Sequence, residues 1–109
     1  MEMNEYQKKA SETAIYPNVG NNPYYPALGL GGETGEVLNK VKKIMRDFHG
    51  DPSPELMEDI AHELGDVLWY VAQLCTELDM KLDDIAKGNI AMLSSRKQRG
   101  VLGGNGEKR

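Results

Sequence analysis

The sequence predicts an all-α fold, a four-helix bundle completed by oligomerisation, and three observations carry that expectation. Apolar residues recur at three-and-four spacing over long stretches. Prolines and turn residues fall between those stretches rather than within them. No segment reads as a strand candidate. At 109 residues and 12.1 kDa the chain fits a single domain. The helical domain is expected over residues 1–98, followed by a glycine-rich basic tail over residues 99–109.

Residues 4–16 are good helix formers with few apolar positions, which predicts a short amphipathic first helix covering the others. Residues 17–26 carry Pro17, Pro23 and Pro26 among turn residues and read as a loop. A second helix is expected over residues 27–48, where Leu30, Thr34, Val37, Val41, Ile44 and Phe48 form a stripe for burial. Glu33, Glu36, Lys40, Lys43 and Asp47 follow the same rhythm one residue earlier, as a polar stripe about 100° around the axis.

Residues 49–54 interrupt this pattern, and Ser53 followed by Pro54 suits an N-cap with proline at the first helical position. The third helix then carries Ile60, Leu64, Val67, Val71, Leu74 and Leu78, widened by Leu56, Met57, Leu68 and Trp69. It should be the central and most buried helix. A short joint at residues 79–81 leads to a fourth helix through Leu82, Ile85, Ala86, Asn89, Ile90 and Leu93, ending near Lys97. The stripes on the second and third helices exceed what one thin first helix can cover. Pairing with further copies, as a homodimer or homotetramer, is therefore expected.

A formal charge of −4 and a pI near 5.1 argue against broad binding to nucleic-acid backbones. An acidic protein that handles phosphates usually needs a metal. The lone Cys75 cannot form an internal disulfide, and at helical spacing with Val71, Leu74 and Leu78 it reads as a small buried hydrophobe. No charged leader precedes an apolar run and no stretch approaches membrane-spanning length, so no membrane partner is expected and the cytoplasm is the default compartment.

Two carboxylate pairs dominate the chemistry: Glu33-Thr34-Gly35-Glu36 and Glu63-Leu64-Gly65-Asp66. Residues three apart on a helix project from nearly the same side, so each pair is a two-pronged oxygen clamp. If the two clamps face each other, their oxygens repel, and a hard cation such as Mg²⁺ is the simplest way to hold them together. One such pair alone would be an ordinary solvated charge stripe. Here there are two, each with a glycine before its second acid that costs about 1 kcal/mol of helix propensity. Gly35 and Gly65 are thus expected to let the helices, or a ligand, approach closely. Lys40 and Lys43, one and two turns beyond the clamp, either neutralise phosphate oxygens or are ordinary surface lysines.

The run from Leu28 to Val37 containing the first pair, together with Glu63 to Asp66 followed by Val67-Leu68-Trp69-Tyr70, resembles the MazG-like all-α nucleoside triphosphate pyrophosphohydrolases. Their hallmark is ExxE followed, after a variable gap, by ExxD. The segment with Asn89, Arg96 and Lys97 is similar to the family's following segment, in which an asparagine and basic residues assist the nucleotide. The ending from Arg96 resembles small phage-type members, which suggests a phage or prophage origin. The resemblance implies Mg²⁺-dependent cleavage of a nucleoside triphosphate between its α and β phosphates, giving a monophosphate and pyrophosphate. It also implies metal binding by Glu33, Glu36, Glu63 and Asp66. Glu36 or Glu33 would serve as general base.

For the base, Tyr24 and Tyr25 are stacking candidates from the loop before the acidic helix, with Trp69 and Tyr70 as others, although Trp69 beside Leu68 more often marks core. Asp59 and His62 have the acid-xx-His spacing of di-iron bundles, but Arg46 stands three residues before His49 where a second acid is required. His62 and Glu63 also fail the HExxH zinc pattern, because Asp66 stands where the second histidine belongs. The remaining alternative is a non-catalytic helical dimerisation module whose acids only solvate its surface.

Overall fold

The computed structural model describes residues 1–101 and 103, the side chain of Phe48 excepted. Most of the glycine-rich tail expected at residues 99–109 thus lies outside the described residues. Four helices form: α1 (Met3–Glu12), α2 (Tyr24–Phe48), α3 (Pro54–Glu77) and α4 (Leu82–Gln98). No strand occurs among the described residues.

Helix α1 stops at Glu12, four residues before the expected end at Tyr16. The backbone N–H and the hydroxyl of Thr13 both donate to the Ala10 carbonyl, at 3.0 and 2.7 Å, which closes the last turn. The chain then turns inward and buries Tyr16. Helix α2 starts at Tyr24, earlier than expected, because Pro26 falls within its first turn, where a missing N–H leaves no bond unmade. Pro23 stands at the N-cap, and the Asn22 side-chain oxygen, one residue earlier, accepts one of the first-turn donors, the Tyr25 N–H, at 3.2 Å.

At its other end α2 terminates in the left-handed region. His49 has φ of 51° and Gly50 of 86°, and the Gly50 N–H reaches back to the Ile44 carbonyl at 3.0 Å. The start of α3 is as expected: Ser53 Oγ accepts from the Leu56 N–H at 3.1 Å, and Pro54 occupies the first position. The joint to α4 closes through the Met80 N–H on the Cys75 carbonyl at 2.8 Å, with Asp79 at φ of 58°.

Helix α3 is central, packing against each of the other three, while α2 packs against α3 alone. The core consists of Ala10, Ala72, Cys75 and Leu82, flanked by Tyr6, Trp69 and Val71. It lies where α1 crosses the C-terminal half of α3 beside the start of α4. Cys75 is buried there, and burial pushes its thiol pKa up.

The stripe expected to bury α2 does not do so in one chain. Leu30, Val37 and Ile44 are half-buried and Thr34 and Val41 are exposed, while Pro26, ahead of the stripe, is buried. Leu64 and Leu78 on α3 are exposed as well. The cause is an open arrangement. The radius of gyration is 16.7 Å, against about 13 Å for a compact chain of this length.

Candidate active site

Helices α2 and α3 are joined by the short connection at residues 49–53 and run back along one another, so their acidic pairs meet at one level. Glu33, Glu63 and Asp66 each present a carboxylate oxygen, and these oxygens lie within 4.8 Å of one another. Glu33 and Glu63 are half-buried and Asp66 is exposed. Glu36, expected as a fourth member, stands outside this trio and is exposed, although its charge still acts on Glu33 one turn away.

The electrostatics follow from that crowding. The Glu33 pKa is pushed from its ordinary 4.5 up to about 7. The hydrogen bond it shares with Glu63 contributes most, then burial, then the charges of Glu63, Asp66 and Glu36. Lys40 leans across from α2, its Nζ 4.0 Å from Glu63 Oε1, with both side chains largely covered. Lys43, a turn further along, is exposed. Three carboxylates with no nitrogen or sulfur donor, held close enough for the other two to disturb the ionisation of Glu33, form a donor set suited to a hard divalent cation. Asp59 and His62 take no part in it.

Of the two approaches expected at Gly35 and Gly65, by a helix or by a ligand, the helix–helix one does not occur within the chain. A Cβ built on either would meet nothing within 4 Å. The tight contact is at Gly29, where a Cβ would run into the Tyr70 ring. In the sequence Gly29 is hidden beside Gly31 and Gly32, which nothing abuts.

Beside the trio opens a cavity of about 300 Å³ lined by Thr13, Glu33, Asp66, Trp69 and Tyr70. Trp69 donates its indole N–H to Thr13 Oγ1 at 2.7 Å and meets Tyr70 edge to face, with ring centroids 5.0 Å apart and planes at 88°. Burial raises the Tyr70 hydroxyl pKa, followed by the nearby Tyr25 and the charges of Glu33 and Asp66. Trp69 is thus both a flank of the core and a cavity wall. Thr13 carries no motif, and only the turn ending α1 brings it here.

The other expected substrate residues lie elsewhere. Tyr24 sits in the first turn of α2 rather than in a loop, is 77% exposed and does not line the cavity. Tyr25 stacks on Tyr16 at 4.5 Å with the rings nearly parallel. Asn89, Arg96 and Lys97 all belong to α4, which makes no contact with α2, and none of them lines the cavity. Arg96 is buried, with Nη2 2.9 Å from the Met92 sulfur, whereas Asn89 and Lys97 are exposed.

No helix among the described residues is long and apolar enough to cross a membrane. Comparison with known proteins adds to this geometry. The family model for the MazG nucleotide pyrophosphohydrolase domain matches residues 26–101, which takes in both acidic pairs. The chain is 47% identical over 114 aligned positions to the Gene 37 protein of Mycobacterium phage L5, and the match covers all of both chains. The likeness suggested by the C-terminal residues, to a phage protein, thus extends over the whole sequence. No solved structure matches. With the family match covering more than half of the sequence and the acids of both motifs meeting between α2 and α3, the chain belongs to the MazG nucleotide pyrophosphohydrolase family.

Proposed function

We propose that this protein is a Mg²⁺-dependent nucleoside triphosphate pyrophosphohydrolase, acting in the cytoplasm and splitting its substrate between the α and β phosphates. The observation that carries the reading is the convergence of Glu33, Glu63 and Asp66 from two helices, with Glu33 held up to about pH 7 by its neighbours. A cluster that resists losing its last proton is one that a divalent cation would relieve. When bound, magnesium would polarise phosphoryl oxygens and offset the charge of the departing pyrophosphate.

The chain's own residues supply the rest. Glu33, Glu63 and Asp66 hold the cation. Glu36, one turn from Glu33 and outside the trio, takes the proton of the attacking water. The water oxygen bonds to the α phosphorus, the bridging bond to the β phosphate breaks, and its electron pair leaves with pyrophosphate. Lys40 is placed to exchange its contact with Glu63 for a phosphate oxygen, and Lys43 extends the basic edge. The cavity bounded by Thr13, Trp69 and Tyr70 receives the base.

The functional unit is a homodimer or homotetramer. Leu38 and Met45 on α2 are 65% and 79% exposed, and Leu64, Leu68 and Ile90 add to the uncovered apolar surface. A second copy seated there would close the open arrangement of α2. It also gives Asn89, Arg96 and Lys97, apart from the acids within one chain, a route to a nucleotide held by the neighbouring copy.

The test is pyrophosphate release from a panel of ribo- and deoxyribonucleoside triphosphates with and without Mg²⁺. Release from at least one nucleotide, dependent on the metal, is the expected result. A protein that releases none, and whose melting temperature is indifferent to Mg²⁺, would instead be a helical dimerisation module.

A further inference from the structure

The two aromatic walls of the cavity both project from α3, and each is held from a different helix. Tyr70 is held from α2, where its ring occupies the space that the missing Cβ of Gly29 leaves. Trp69 is held from the end of α1, by the bond from its indole N–H to Thr13 Oγ1 at 2.7 Å. The two rings then brace each other edge to face, with centroids 5.0 Å apart.

The Thr13 end of that bond is the fixed one. Its backbone N–H and its hydroxyl both donate to the Ala10 carbonyl, so the hydroxyl proton is committed and the oxygen is left to accept the indole. Anchors lie on either side of Thr13 along the chain. Gln7 Nε2 donates to Thr76 Oγ1 at 3.1 Å and to the Met80 carbonyl at 2.8 Å, while Gln7 Oε1 accepts the Leu82 N–H at 2.8 Å. Beyond Thr13, the Tyr16 hydroxyl donates to Glu77. The Trp69 side chain, by contrast, turns about two torsions and is half-buried, so its setting depends on the oxygen that receives its N–H.

With that N–H given to Thr13, Trp69 offers a ligand its ring and no polar group. Stacking on such a ring is open to every nucleobase, because each has a π-face. Asp66 and Trp69 are three residues apart on α3 and line the same cavity. A nucleotide with its phosphates at the acids therefore has Trp69 beside it.

Resting on the proposed reading in which this cavity receives the base, we infer that Thr13 is a positioning residue whose hydroxyl, through the indole N–H, sets the Trp69 ring to stack on the base before the nucleotide arrives. The base takes no part in the bond changes at the α phosphorus. Its stacking contributes equally to the ground and transition states, and so governs KM rather than kcat.

The experiment is a double-mutant cycle of Thr13→Val and Trp69→Phe, read with Mg²⁺ on ATP, GTP, CTP, UTP, their deoxy counterparts and dTTP. Thr13→Val removes the acceptor and keeps the shape, and Trp69→Phe keeps an aromatic ring without the N–H. Thr13→Val should raise KM about fivefold while kcat changes by less than about twofold. Thr13→Ser, which keeps the oxygen, should restore the wild-type KM. Added to Trp69→Phe, Thr13→Val should raise KM no further, because no N–H is left for Thr13 to hold. Additive effects on KM, or a Thr13→Val variant that lowers kcat and keeps KM, would overturn the inference while leaving the hydrolase reading intact. Trp69 is the single tryptophan of the chain, so its fluorescence reports on this wall in the wild-type protein. The corresponding monophosphates should quench it, and pyrophosphate release with no such quenching would likewise overturn the inference. If no triphosphate is hydrolysed, the hydrolase reading falls by itself, and the cycle is read in calorimetric dissociation constants of the monophosphates. Additivity there would again overturn the inference, and absence of binding would overturn both.

Discussion

Helix α3 carries two acidic sites that the fold treats in opposite ways. At its C-terminal end Glu77 accepts the Tyr16 hydroxyl and the backbone N–H groups of Gly20 and Asn22, the latter two at 2.8 Å each. Gln73 braces the same Tyr16 oxygen from 2.8 Å. Burial works to raise the Glu77 pKa, but these three donors outweigh it and hold the carboxyl below its ordinary range. Tyr16, buried and keeping its proton for Glu77, is pushed up to about 12. In the first half of α3, Glu63 and Asp66 face Glu33, and the strongest influence on Glu33 is another carboxyl group. The carboxylate supplied with protein donors ties the 13–23 segment to α3 and so sets Thr13 at the cavity wall. Among the carboxylates left beside like charges, Glu63 has the Lys40 ammonium 4.0 Å away, and a bound cation is the further complement proposed above.

That difference has measurable consequences, the largest in activity. Glu63→Gln is expected to lower metal-dependent pyrophosphate release by roughly 10²–10³-fold while leaving the metal-free melting temperature unchanged or slightly higher, since a repulsive charge is gone. A stability loss matching that of a Glu77 variant would erase the distinction between the two sites. For Glu77→Ala the expectation is reversed. Three donors lose their acceptor, so unfolding in denaturant should show a loss on the order of 2–3 kcal/mol, with the Mg²⁺-induced rise in melting temperature still present.

Glycines probe the same contrast between filled and open space. Gly29→Ala drives a methyl group into the Tyr70 ring and should cost about 1–3 kcal/mol in equilibrium unfolding. Gly35→Ala meets open space and should gain up to about 1 kcal/mol in the isolated chain. If Gly35→Ala instead weakens self-association in sedimentation experiments, the open space belongs to a second copy.

The smallest effects are in the pH dependence, where the two sites have opposite signs. Glu33 has a folded pKa of about 7 against 4.5 for the free group. Between those values the folded chain binds more protons than the unfolded one, so this contribution is present at low pH and declines as pH rises toward 7. Glu77, with a depressed folded pKa, contributes above the ordinary carboxylate range and loses that contribution as pH falls through its folded value. Melting curves at pH 5.5 and 8, with chelator and with Mg²⁺, should show the larger metal-induced gain at pH 8, where no proton has to be displaced from Glu33. Equal gains at both pH values would mean that Glu33 does not contribute to the metal site.

Much of the helical framework was legible in residue order because its signals are local. The Ser53–Pro54 start of α3 and the joint before α4 depend on neighbours within one turn, and both form as expected. Residues outside that local range behaved differently. Thr13 ended α1 early and Tyr16 turned inward because their partners, Trp69, Gln73 and Glu77, lie far along the chain. The stripe on α2 forms as expected, and a single chain leaves much of it uncovered, as its breadth against one thin first helix implied.

Sequence by itself determined that there would be four helices, that acids three apart would project from one side of two of them, and that Cys75 would lie inside. Each of these follows from the helical repeat and from capping chemistry, which act over a few residues. Tertiary structure alone decided that Glu33, Glu63 and Asp66 meet while Glu36 stands apart, that Gly29 rather than Gly35 or Gly65 is the tight contact, and that Thr13 joins Trp69 and Tyr70 in one cavity wall. The crossing of α2 over α3 brings one member of an acidic pair within reach of the facing carboxylates and leaves the other, one turn along, outside them. That crossing is set by side-chain packing between helices, which residue spacing does not encode.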